Sequence, residues 1–155
     1  MKNFLLVMLA GTALLGACVT SNEMVAREYW ARAASKDGNT AVYMTLQNHT
    51  AVDDELIQAS SDSARAVEIH ESRLGDDGVM QMIPQNSVSI AADTEVEFKP
   101  GGLHIMLISL KQDLAAGSVI TVILHFKNHD DITLTVTVKD ATDMGGSGMD
   151  GHTVP

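Results

Sequence analysis

Hydrophobic and polar positions alternate with a period of two along most of the chain beyond residue 28. The clearest stretch is 131–138, where Ile132, Leu134, Val136 and Val138 alternate with Thr133, Thr135 and Thr137. Successive side chains of a strand point to opposite faces, so this pattern predicts a strand with one buried and one wet face. In the segment before it, 118–126, Val122, Leu124 and Phe126 share a face. Shorter runs over 29–33, 41–46, 55–59, 66–71, 79–83, 94–98 and 104–110 are separated by turn-forming clusters, among them Asn48-His49-Thr50, Gly75-Asp76-Asp77-Gly78 and Pro100-Gly101-Gly102. No long stretch with a 3.6-residue period occurs beyond the first 17 residues. Eight or nine short strands joined by Gly, Asn and Asp turns predict an all-β fold, an antiparallel β-sandwich, as one domain over 28–140.

The two ends fall outside that pattern. Residues 1–17 carry one positive charge at Lys2, then an apolar run over 4–15, then small residues. This is the layout of a secretory signal peptide, too short for a stable membrane span. Its end, Leu15-Gly16-Ala17-Cys18, resembles the lipobox of bacterial lipoproteins. That resemblance implies cleavage before Cys18, lipidation of Cys18, a tether over 18–27 and a membrane anchor. Val19 beside the Cys, by resemblance to enterobacterial sorting rules, favours the outer membrane and hence a periplasmic location. The tail 141–155 is Gly-rich, with Val154 its one large branched aliphatic residue, and is expected to lack fixed structure.

Composition narrows the chemistry. With 10 Lys+Arg against 20 Asp+Glu the net charge is −10, and the basic residues are scattered. Phosphate binding needs clustered cations, so nucleic acid is excluded as a partner. A single Cys excludes an internal disulfide, a Cys-based zinc site and a Cys-x-x-Cys redox pair. What remains in quantity is nine Met and six His.

On the predicted strands these two residue types fall together. Met80 and Met82 lie two apart, as do His104 and Met106 directly after Pro100-Gly101-Gly102, and His70 closes the run 66–71. Side chains two apart on a strand share a face and can reach one ion. Taken singly, a strand Met is core filler, and Met24 and Met44 are read so. His49, His125 and His129 are read as bystanders. Thioether and imidazole donors, with no thiolate, select Cu(I) over zinc, magnesium or calcium. A blue-copper site lacks its strand Cys, and no His-Glu-x-x-His motif is present. The pattern points to a metal-binding protein rather than an enzyme.

The spacing also carries a resemblance. After His70 and Glu71, ten residues lead to Met82, and 21 more lead to His104-Ile105-Met106. This resembles H(M)x10-M-x21-H-x-M, the copper motif of the periplasmic PCu(A)C copper chaperones. The flanking segments Val67-Glu68-Ile69-His70-Glu71, Gly78-Val79-Met80-Gln81-Met82 and Lys99-Pro100-Gly101-Gly102-Leu103 are similar too, and the likeness runs from about Ala31 to Val138. It implies His70, Met82, His104 and Met106 as copper ligands and a cupredoxin-like Greek-key sandwich. It also implies a metallochaperone role: copper is held in the periplasm and passed to the copper-site subunit of a cytochrome oxidase, alongside a thioredoxin-like copper protein. Two features depart from the family: the optional Met is Glu71 here, and the chain carries a lipid-anchor signal. Met80, Met144, Met149 and His152 are candidate auxiliary ligands, with Cu(II) an option at the tail. Two other readings stand beside this one: an envelope structural or assembly lipoprotein with a protein-binding face, and a copper-buffering resistance protein.

Overall fold

Alternation of buried and exposed positions builds ten strands in the computed structural model, which describes residues 22–140. They are β1 (Met24–Arg32), β2 (Thr40–Asn48), β3 (Asp54–Ser60), β4 (Ala64–Leu74), β5 (Met80–Gln85), β6 (Val88–Ile90), β7 (Thr94–Phe98), β8 (Leu103–Leu110), β9 (Val119–Phe126) and β10 (Ile132–Lys139). The leader 1–17, Cys18, and the tail with Met144, Met149 and His152 lie outside the described residues.

The strands join in one sheet of order β5-β4-β8-β7-β2-β1-β10-β9-β3-β6, with β8 also pairing to β2. The sheet folds over on itself, so that β3 lies against β4 and β6 against β2 and β7. Between its two halves sit the inward positions of the alternating runs. Leu134 pairs with Val122 across β10 and β9, and both are buried with Val136, Val138 and Leu124. Each such side chain contributes about 1.5–3 kcal/mol by leaving water.

The all-β expectation holds, with three differences in detail. First, β1 pairs with β10 and β7 with β8 in parallel, while the other pairings are antiparallel. Tight hairpins force antiparallel neighbours, but β1 and β10 are joined through the rest of the domain, so no hairpin fixes their direction. Second, β1 starts at Met24, inside the segment expected as tether. A bulge between Arg27 and Trp30, with Glu28 at φ 52°, reverses the alternation, so Met24 and Ala26 face inward before it and Tyr29 and Ala31 after it. Such a bulge adds a residue to one strand and flips the phase of the pattern. Third, β6 has three residues, too few for alternation to register, yet Val88 and Ile90 are buried against the core.

Candidate metal centre

Strands β5, β4 and β8 are consecutive in the sheet. Residues paired across strands share a face. His70 of β4 pairs with His104 of β8, and Glu68 with Met106. On the other side of β4, Ser72 pairs with Met82 of β5. His70, Met82, His104 and Met106 therefore share one face, opposite to the one that sends Ile69, Ile105 and Leu107 into the core. His70 does not close its strand: β4 runs on to Leu74, paired with Met80. That extension past the core leaves both of its faces near water, which hides it from a pattern of burial.

The turn before β8 fixes His104. Gly102 N donates to Lys99 O at 3.0 Å, Pro100 holds the second position, and Gly101 has φ 78°. This is the type II arrangement, in which the third residue needs a positive φ that glycine adopts without strain. The turn aims the Gly102 carbonyl at two donors, Ser72 N and His104 Nδ1, each at 3.0 Å.

A carbonyl oxygen only accepts, so Nδ1 of His104 carries the proton and Nε2 keeps its lone pair. His104 is 3 % exposed, and its Nε2 is buried with no hydrogen-bond partner among the described residues. His70 is arranged the other way round. Its Nε2 lies 2.7 Å from Oε2 of Glu68, and its Nδ1 is buried without a partner among the described residues. The two rings stand edge to face with centroids 5.9 Å apart. A buried polar atom without a partner costs about 1–3 kcal/mol. Two such lone pairs on neighbouring strands are a site that an electrophile would satisfy.

The thioethers lie to either side. Met106 is half-buried, and Met82 is 59 % exposed. Both line a cleft of about 310 Å³ together with Arg32, Ala41, Tyr43 and His104. The Tyr43 ring is tilted against both Trp30 and His104, with centroid separations of 4.5 and 6.4 Å. Burial raises the Tyr43 phenol above its ordinary range, partly offset by the Arg32 guanidinium. No group of three or more His, Cys, Asp or Glu able to hold a metal occurs among the described residues. Beside the His pair, the donor side chains on the same face are the thioethers of Met82 and Met106.

The remaining candidates fall elsewhere or at the edge. Met80 is on the face of Met82 but 55 % exposed, one cross-strand row further from the His pair. Met24 and Met44 are buried in the core. His49 is exposed in its turn, and His129 accepts from Met24 N at 3.3 Å. His125 links Ser60 Oγ at 2.9 Å and Asp131 at 2.8 Å. That order suits a nucleophile, base and carboxylate, but it is a surface ladder running from β3 across β9 to the turn before β10, with Asp131 55 % exposed. Sequence reading missed Glu68 and Tyr43. Glu68 carried a usable signal, since it sits two residues before His70 and so shares its face.

The family model described as "Putative lipoprotein LpqE-like" matches residues 24–138. Uncharacterized protein RP573 of Rickettsia prowazekii is 36 % identical over 119 residues, covering 74 % of this chain and 64 % of that protein. Putative lipoprotein Lxx21020 of Leifsonia xyli is 31 % identical over 111 residues, covering 72 % of this chain and 66 % of that protein. The matched segment thus spans about two thirds of each relative's length. Among solved structures, the fold is similar to that of a copper-bound PCuAC domain from PmoF2, with TM-score 0.63, 20 % identity, and coverage of 76 % of this chain and 92 % of that one. It is also similar to the solution structure of CuI-DR1885 from Deinococcus radiodurans, with TM-score 0.57, 24 % identity, and coverage of 78 % and 83 %.

Proposed function

The chain belongs to the LpqE-like family, and from that premise we propose that it is a copper metallochaperone of the bacterial envelope. It holds one Cu(I) between His70, Met82, His104 and Met106. One observation carries the reading: two buried imidazole nitrogens with unshared lone pairs, on adjacent strands, flanked by two thioethers on the same face. Neutral sulfur and nitrogen donors suit Cu(I), and the absence of a thiolate from the set leaves it exchangeable. The copper-bound PCuAC domain and CuI-DR1885, which share this fold, support the choice of metal.

Transfer proceeds by ligand exchange. Met82 is the most exposed of the four donors, so an incoming thiolate or imidazole meets the copper from its side. Met82 leaves first, and the buried His104 leaves last. Met80, on the same face, is an auxiliary donor at the entrance. Met144, Met149 and His152 are further auxiliary donors, with Cu(II) an option there. Lipidated Cys18 anchors the protein to a membrane facing the periplasm, the outer membrane being favoured. The receiving site is the copper subunit of a cytochrome oxidase, with a thioredoxin-like copper protein as fellow carrier. No step here makes the protein an enzyme.

A deletion strain grown in low copper tests the role. Oxidase activity is expected to fall and to return with added copper. The wild-type gene should restore it and a gene lacking the four donors should not. Unchanged oxidase activity would favour an envelope assembly lipoprotein, and copper sensitivity without oxidase loss would favour a buffering role.

A further inference from the structure

We infer that Glu68 selects which nitrogen of His70 meets copper, so that the centre is a mixed one, with Nδ1 from His70 and Nε2 from His104. The inference rests on the copper reading for what these nitrogens bind, while the selection itself is a property of the metal-free chain.

Glu68 and His70 are two apart on β4 and share a face. The 2.7 Å contact from Nε2 of His70 to Oε2 of Glu68 has the length of a charge-assisted hydrogen bond. An ionised carboxylate has no proton to give, so the proton of the neutral ring sits on Nε2 and the lone pair on Nδ1. His104 has the opposite tautomer because its acceptor, the Gly102 carbonyl, lies at Nδ1. Two different acceptors thus leave two different nitrogens, both buried and on facing rings, with a free lone pair. Glu68 is half exposed, at 48 % of its side chain, so its second oxygen reaches water and the charge is not stranded.

A second effect follows from charge. The four proposed donors are neutral, and Cu(I) among them would leave an unbalanced positive charge on a half-covered face. Glu68 supplies a negative charge one imidazole away. A carboxylate behind a ligating histidine also raises the basicity of the ring, and losing such a partner commonly costs 10–100-fold in metal affinity. Glu71 cannot take this part although it adjoins His70 in sequence. It points to the other face of the strand and is held by Arg73 at 2.8 Å.

Long-range proton–nitrogen spectra of the ¹⁵N-labelled, metal-free mature chain read the tautomers, and competition titration with Cu(I) reads affinity. In the wild-type chain His70 should be protonated at Nε2 and His104 at Nδ1. Glu68→Ala should abolish the His70 preference, leave His104 unchanged, and lower Cu(I) affinity about 10–100-fold. Glu68→Gln, which still offers an acceptor but no charge, should keep the tautomer and recover part of the affinity. Glu71→Gln should match the wild type, and the amide spectrum of each variant checks the fold. A His70 protonated at Nδ1 in the wild type, or an unchanged tautomer and affinity in Glu68→Ala, would overturn the inference. Correct tautomers in a wild-type chain that binds no Cu(I) would instead overturn the copper reading, and with it the metal half of this one.

Discussion

Met82 separates binding from stability more cleanly than any other proposed donor. At 59 % exposure its thioether contributes little to the core, whereas it faces the cleft shared with His104 and Met106. Met82→Leu keeps volume and apolar character. It should change folding stability by no more than about 0.5 kcal/mol, as exposed substitutions do. The same variant should bind Cu(I) at least about tenfold more weakly, roughly 1.4 kcal/mol. Urea unfolding and a chelator competition read the two quantities on one sample. A large stability loss would mean that Met82 is packing, and an unchanged affinity would remove it from the donor set. The residue scale is also where the sequence spoke most clearly. Pairs two apart, such as His104 and Met106, announce a shared face without any knowledge of the fold. Which nitrogen of each ring keeps its lone pair could not be read in the same way. It depends on the register that sets His70 opposite His104 and on acceptors contributed by a side chain and a turn.

At the scale of elements, the turn into β8 links backbone conformation to chemistry. Gly101 has φ 78°, a region where a Cβ is strained although nothing within 4 Å would touch it. Gly101→Ala should therefore cost about 1 kcal/mol in stability. Because Gly102 O is the acceptor for His104 Nδ1, the same change should loosen the ring and lower Cu(I) affinity. Gly78 has φ 77° at the tip of the β4–β5 hairpin, away from that acceptor. Gly78→Ala should lose comparable stability and keep its affinity. Equal affinities for the two variants would show that the turn does not position His104. Elements were legible wherever one face met the core throughout, as in β9 and β10. They were obscured where geometry broke the period: the bulge at Glu28 in β1, the three residues of β6, and the end of β4 beyond the core.

For the whole molecule, the excess of acidic groups makes acid stability a question of individual pairs. Glu55 of β3 accepts from Lys127 Nζ at 2.7 Å, just past the end of β9, and Lys127 N also donates to Glu55 O at 3.0 Å. The Lys127 hydrogen bond, assisted by Ser87 and by the Lys127 charge, holds the Glu55 carboxyl below its ordinary range. A depressed carboxyl contributes stability above its unfolded-state pKa and loses it as pH falls through the folded-state value. Lys127→Met should therefore be less stable than the wild type at neutral pH, with the gap closing in acid. Parallel stability curves across that range would contradict the assignment. Lys127 is exposed and Glu55 only half-buried, so the effect is modest and should shrink in high salt.

The central claim concerns the four proposed donors acting together, and a competition titration of residues 18–155 with Cu(I) under reducing, oxygen-free conditions tests it most directly. The account predicts one Cu(I) per chain held against the chelator, and loss of that binding in the variant combining His70→Ala, Met82→Ala, His104→Ala and Met106→Ala. A wild-type chain that binds Cu(I) no more tightly than this folded variant would contradict it.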